Sequence, residues 1–527
     1  MNCDRRNFIK KLAGSLLTIK MSPVLSASLP IEFWEREQSK RLATLIAETA
    51  LHTARIYGCQ FCDIRIVWSQ KERILSRENR IEELGGSFDC GMGIRVLFDG
   101  TWGFASSNIL ESKEAEEKTK EAIELAKHCR KFNTRRVELE NLPSIQGAWH
   151  QKVVVDPFEM PLEEKTHFLL DLNDKAAKSG AHFCRSFLLF HKELRVYASS
   201  LGSWIEQTFL RTYPRFIITV VDSKEGKFET RASLASPRSG GMEVVDKKAF
   251  LKEVEEATDQ AKEKLHAKPV RPGKKDLVIH PTNLWLTIHE TIGHSTELDR
   301  IMGLEANYAG TSFLKPDQLN RFDFASPIVS VRADRSQLGG LATAGYDDDG
   351  IPSSWADFFI IEKGILKNFQ MSIGQAQWIG KEKSNGCSYA QNYNYFPIQR
   401  MPNISLIPSE KNERLEDLIS GVDDGLYIMG DGSWSIDQQR YNFQFGGQLF
   451  YEIKNGKIGQ MLRDVVYQGN TQSFWKSCDG ICGKDEYQLC GTLFCGKGEP
   501  SQLAPVSHGA VPARFRNIDV LNIRLHS

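Results

Sequence analysis

Asp276-Leu277-Val278-Ile279, followed after one residue by Pro281-Thr282-Asn283-Leu284-Trp285-Leu286-Thr287-Ile288-His289-Glu290-Thr291-Ile292-Gly293-His294, is the stretch on which the fold turns. Its first four residues read as a strand, and Pro281-Thr282-Asn283 reads as the cap of a helix. That helix is the exception in its surroundings. The rest of the chain to residue 527 is mostly strand-like runs separated by turn signals such as Glu362-Lys363-Gly364 and Lys454-Asn455-Gly456-Lys457. Residues 273–527 are therefore expected to form a β-rich antiparallel domain carrying a single helix.

Two further α+β domains are expected upstream. In the first, over residues 31–135, a helical stripe runs between Glu32 and Tyr57. Asp63-Ile64-Arg65-Ile66-Val67 alternates, and Gly93-Ile94-Arg95-Val96-Leu97-Phe98 turns through Asp99-Gly100 into Trp102-Gly103-Phe104. A charged helix, Glu111–Lys131, closes it. The second, over residues 136–272, has helices near 161–179 and 247–266 around short β-like runs, and ends in the linker-like Lys268-Pro269-Val270-Arg271-Pro272-Gly273-Lys274-Lys275. The fold class is α+β in three domains.

Residues 1–30 have the parts of an export signal: Arg5-Arg6 before Phe8-Ile9-Lys10-Lys11, an apolar run from Leu12 to Ile19, and small residues around Ser26-Ala27-Ser28. The arginine pair resembles a twin-arginine signal, with Asp4 where Ser or Thr is usual. The expected location is the periplasm, or the cytoplasm if this segment is only a basic amphipathic helix. The apolar run is too short to span a bilayer, and charges interrupt every later one, so no transmembrane helix is expected.

Composition narrows the function. Hydrophobic residues make up 41% of 527, which excludes disorder over most of the chain. Lys+Arg and Asp+Glu both number 67, so no broad positive field exists to hold a nucleic acid. Eleven cysteines are too sparse for a disulfide-stapled scaffold.

The chemistry sits on the helix. His289 and His294 flank Glu290 as in metalloprotease helices, where histidines bind zinc and the acid activates water. The spacing is His-Glu-x-x-x-His, one residue longer than the common motif. On a regular α-helix residues five apart point roughly 140° from each other, too far to share an ion. A single π-turn would bring them to one face. The spacing thus predicts an irregular helix between His289 and His294, with Gly293 as the least strained place for the distortion. A third ligand is needed, and the tail offers Cys478, Cys482, Cys490 and Cys495, the last in Phe494-Cys495-Gly496-Lys497-Gly498. A neighbouring lysine favours the thiolate. The spacing alone does not choose among the four, and a disulfide or a structural metal site stays open.

Other signals carry less. Cys59-Gln60-Phe61-Cys62 has no matching second pair. Asp347-Asp348-Asp349 lacks the alternating ligands of a calcium loop and reads as a polar turn. Gly430-Asp431-Gly432 lacks the context of a phosphate loop.

The helix motif, with Glu297 and Asp299 after it, resembles the active-site helix of the TldD/PmbA metalloprotease family. Cys495-Gly496-Lys497-Gly498-Glu499-Pro500-Ser501-Gln502, running on to Ser507-His508-Gly509, is similar to that family's C-terminal ligand segment. Gly345–Pro352, Arg400–Asn403, Arg80–Glu83 and Gly91–Phe104 fit as well, so the resemblance covers roughly residues 40–525. It implies a zinc peptidase acting on unfolded peptides or flexible protein segments, with Zn²⁺ on His289, His294 and Cys495. Glu290 would be the general base, and His508 a candidate transition-state stabiliser or a structural histidine. It also implies a homodimer, or a heterodimer with a PmbA-like sister subunit, and substrate pairing as an added strand. Two other readings remain: a non-catalytic peptide-binding partner subunit, and an exported protein with purely structural zinc.

Overall fold

The computed structural model describes residues 37–133 and 135–523. The export signal read in residues 1–30 lies outside them.

The first two segments share one sheet. Helix α1 (Glu37–Ile56) precedes β1 (Phe61–Arg77), β2 (Arg80–Phe98) and β3 (Thr101–Ser107), and α2 (Ser112–Cys129) follows. The second segment supplies α3 (Leu162–Lys178), β4 (Phe183–Ser199), β5 (Trp204–Asp222) and α4 (Lys247–His266). These strands lie in the order β3-β2-β1-β4-β5 within an eight-stranded sheet, and β1 pairs antiparallel with β4 from Asp63↔Ser199 to Arg77↔Arg185. The runs at 183–189 and 194–198, read separately in the sequence, are one continuous strand. At 17 to 19 residues, β1, β2, β4 and β5 are long enough to carry two helical layers end to end.

Strand alternation sorts the two faces of this sheet. Ile64, Ile66, Leu194, Val196 and Ala198 pack under α1 and α2, and Ile74, Leu188, Phe190 and Phe216 pack under α3 and α4. Each such fully buried Val, Leu, Ile or Phe side chain contributes about 1.5–3 kcal/mol by area. The opposite face carries Asp63, Arg65, Arg95, Glu193, Arg195 and Arg211. Such a face normally meets water, yet all six are buried here, against the third segment.

The third segment is β-rich, as expected. Strands β6 (Gly273–Ile279), β7 (Asp424–Ile436), β8 (Asn442–Lys454), β9 (Val465–Asn470) and β12 (Ala513–Asn522) pair in the order β7-β6-β12-β9-β8, and β8 returns to β7. The pairings close on themselves, so the five strands form a barrel without a free edge among them. β10 (Gln488–Lys497) and β11 (Gln502–Ala510) form a separate hairpin. Helix α5 (Pro281–Thr287) continues the β6 chain, and short helices at Leu415–Ser420 and Thr471–Lys476 were not apparent from the sequence. The linker-like 268–275 stretch is also strand in part: Lys268–Pro269 pairs with Leu462–Arg463, and β6 already begins at Gly273. Backbone pairing overrides its proline-rich composition there.

Candidate metal centre

The helix starts one residue earlier than the sequence suggests. His280 is the cap: its Nδ1 takes the Thr282 backbone N–H at 3.3 Å, and Pro281 fills the first helical position, where no N–H is needed. Asn283, read as part of the cap, instead donates to the Gly430 and Gly446 carbonyls of β7 and β8 at 2.9 and 2.8 Å. It fastens the helix to the barrel.

From Ile288 to Gly293 the helix widens into a π-turn, the irregularity that the histidine spacing demands. The Gly293 carbonyl accepts from Gln370 Nε2 at 2.6 Å. Gly293 has an ordinary right-handed backbone, so conformational freedom is not why glycine stands there. A Cβ at this position would lie 2.6 Å from Met401 Sδ; the glycine makes room for packing.

The π-turn brings the His289 and His294 rings to 4.6 Å between centroids. β10 brings Cys495 up to them, its Sγ 3.5 Å from His294 Nε2, just after a shift in the β10–β11 register. One ligand atom from each of the three residues lies within 4.8 Å of the others, so the set could hold a metal ion. Cys478, Cys482 and Cys490, left open in the sequence, are free and buried elsewhere, and burial pushes all three thiols up.

The hydrogen bonds assign the tautomers. His508 Nδ1 lies 3.1 Å from the Ile404 carbonyl, which can only accept, so that nitrogen carries the proton. His508 Nε2 then accepts from His289 Nδ1–H at 2.7 Å, leaving His289 Nε2 as a lone pair. Likewise His294 Nδ1–H donates to Glu297 at 2.9 Å and leaves its Nε2 free. Both nitrogens of His508 are thus committed. It orients the His289 ring, the structural one of the two roles read for it in the sequence.

Electrostatics prepares the same donors. Burial lowers the pKa of His289 and of His294, keeping both imidazoles neutral. Burial pushes the Cys495 thiol up, but it lies below the ordinary thiol value, with the Arg400 guanidinium as the largest opposing influence. Arg400 also bonds the Cys495 carbonyl through Nη2. The lysine expected to favour the thiolate does something else: Lys497, fully buried, bonds Asp299 at 2.8 Å and lies 3.4 Å from Glu297. Burial raises the Glu297 carboxyl, but Lys497, His294 and Arg300 hold it well below the usual range.

Glu290 is buried beside the ligands and accepts from Arg440 Nη1 at 2.6 Å. Arg440 sits in the β7–β8 turn with φ of 62°, a left-handed conformation few arginines adopt. Its Nη2 donates to the Ala309 carbonyl at 3.1 Å, which also receives Arg300, the partner of Glu297. The Glu290 carboxylate and the Glu297 carboxylate behind His294 are therefore tied through one carbonyl. Nothing in the sequence pointed to Arg440, 150 residues from Glu290. For Glu297 the signal was its position three residues after His294.

Asp347-Asp348-Asp349 is a buried turn, not a metal loop. Asp348 pairs with Arg195 at 2.7 Å and Asp349 with Arg95 at 2.8 Å. No helix among the described residues is long and apolar enough to cross a membrane.

Three domains of one family match this chain: PmbA/TldA metallopeptidase domain 1 over residues 62–126, the central domain over 155–265 and the C-terminal domain over 272–521. A metalloprotease of Methanocaldococcus jannaschii is 28% identical over 454 residues, covering 85% of this chain and 94% of the relative. A zinc metalloprotease TldD homolog of Saccharolobus solfataricus is 24% identical, covering 88% and 97%. The fold matches that of TldE from Thermococcus kodakarensis with a TM-score of 0.67 at 15% identity, over 89% of this chain and 99% of that one. The three-segment architecture, the successive domain matches and the metalloprotease relatives agree: the chain belongs to the PmbA/TldA metallopeptidase family.

Proposed function

We propose that the protein is a zinc-dependent peptidase that hydrolyses peptide bonds in unfolded peptides or flexible protein segments. The observation that carries this reading is the convergence of two imidazole Nε2 lone pairs and a depressed thiol beside a buried glutamate. Nitrogen and thiolate donors suit Zn²⁺, and three protein ligands are one fewer than a closed structural site uses. Bound there, Zn²⁺ would lower the pKa of a water and polarise the scissile carbonyl. Glu290 would serve as the general base toward the attacking water and as the proton donor to the leaving amine. Arg440 holds the Glu290 carboxylate in place. His508 and Glu297 keep the ligand rings aimed.

A peptide added as a strand would be gripped by its main chain, which suits low sequence specificity. The family resemblance supports a dimer, with itself or with a PmbA-like sister subunit. The basic pair and apolar run near the start of the chain support export to the periplasm.

Glu290→Gln tests the assignment. Hydrolysis of an unstructured peptide should fall at least about 10²-fold while bound zinc stays at the level of the parent protein. Undiminished hydrolysis would remove Glu290 from its role. A parent protein that binds zinc and peptide but never cleaves would favour the partner-subunit reading.

A further inference from the structure

Where the arginine face of the first sheet meets the third segment, the contact leaves a partly enclosed cavity. Arg195 and Arg211 line it from the sheet, and Arg335, Asp347, Asp348 and Arg400 from the other side. Its open space, about 20 Å³, accommodates one particle the size of a water or a small ion.

Three of the lining arginines carry a buried N–H group without a partner: Arg195 Nε, Arg335 Nη2 and Arg400 Nε. The Ser388 hydroxyl, also in the wall, has none either. Buried donors rarely go unsatisfied, and three from one cavity lining point to an acceptor.

Charge decides what kind. Asp348 takes Arg195 Nη1 at 2.7 Å and the Ala390 N–H at 2.6 Å. Asp347 is occupied by the backbone N–H groups of Asp349, Ile351 and Ser388. Glu193 bridges Arg195 and Arg211. Four guanidinium groups thus face three carboxylates. The next ring of charges, Arg65 and Arg95 against Asp63 and Asp349, is balanced, and Arg400 faces the Cys495 thiol as well; with that thiol protonated, one guanidinium stays in excess. A water would satisfy the donors but not the buried positive charge.

We propose that this cavity binds one small monovalent anion, a halide such as chloride. The anion would tie Arg195 of the sheet to Arg335 and Arg400 of the third segment. Arg400 also bonds the Cys495 and Gln502 carbonyls, so the anion would steady the hairpin that carries the thiol ligand.

Crystals of the full chain grown in bromide should show an anomalous peak within hydrogen-bonding distance of Arg195 Nε, Arg335 Nη2 and Arg400 Nε. Thermal unfolding in potassium chloride or bromide should show a saturable rise of a few degrees in Tm over potassium gluconate at equal ionic strength. The rise should be the same before and after zinc is added, which separates it from halide bound to the metal. Water density in the cavity with equal Tm in all three salts would overturn the proposal. So would bromide density without any halide-specific shift in solution.

Discussion

Substituting His508 by phenylalanine keeps a ring in the buried space beside His289 but removes the acceptor for its Nδ1–H. The second tautomer of His289 then becomes as good as the first, and the ring is no longer fixed. Zinc affinity should fall about 10–100-fold, measured by competition with a chromophoric chelator. Unchanged affinity would mean that packing alone holds the ring. At this scale the sequence was legible where the candidate site residues lie within one helical stretch, as His289, Glu290 and His294 do. Cys495 lies 201 residues from His294 and was picked out only through its family likeness. Arg440 was invisible, because a left-handed turn between two barrel strands delivers it to Glu290. Lys497 was misread because adjacency in sequence is not adjacency of charge: along β10, Cys495 reaches the ligands while Lys497 is drawn to Asp299 and Glu297.

The helix that carries the histidines depends on two supports that can be removed separately. Gln370→Leu deprives the Gly293 carbonyl of its donor inside the π-turn, and should destabilise the protein by about 1–3 kcal/mol in denaturant unfolding, with weaker zinc binding. The other support is the His280 cap. Burial lowers its pKa from 6.5 to about 4. The unfolded chain takes up that proton near pH 6.5 and the folded one only near 4, so stability is lost as pH falls through this interval. His280→Asn keeps a capping oxygen that does not titrate. Its Tm should drop less than the parent's between about pH 7 and about pH 5, though His191, also lowered to about 4 by burial, leaves part of the loss in place. An equal drop in both proteins would exclude the cap as a source. Much at this scale was readable beforehand: the 247–266 helix and the turn at Asp99-Gly100, where φ is 44° and 68°. The π-turn followed from ligand spacing, since the histidines could not otherwise meet.

In the whole molecule, the sheet and the third segment meet through buried charge. Arg95 bonds Asp63 of its own sheet and Asp349 across the junction. Arg95→Met would strand both carboxylates away from water, and should cost about 3–5 kcal/mol in denaturant unfolding, with the junction more open to protease. A small loss would show that water reaches the junction. Alternation in Asp63-Ile64-Arg65-Ile66 correctly marked a two-faced strand, but a sequence pattern does not tell water from another polar surface. The shared sheet has a further consequence, for how such a chain can be recombined. Joining two relatives near residue 140 would place β1 from one parent against β4 from the other along fifteen paired positions. A splice near residue 270 would leave that ladder intact and rematch the charged junction and the short Lys268–Pro269 pairing. The heritable module here is a finished sheet, and exchange between relatives should respect its hydrogen bonds before its domain names.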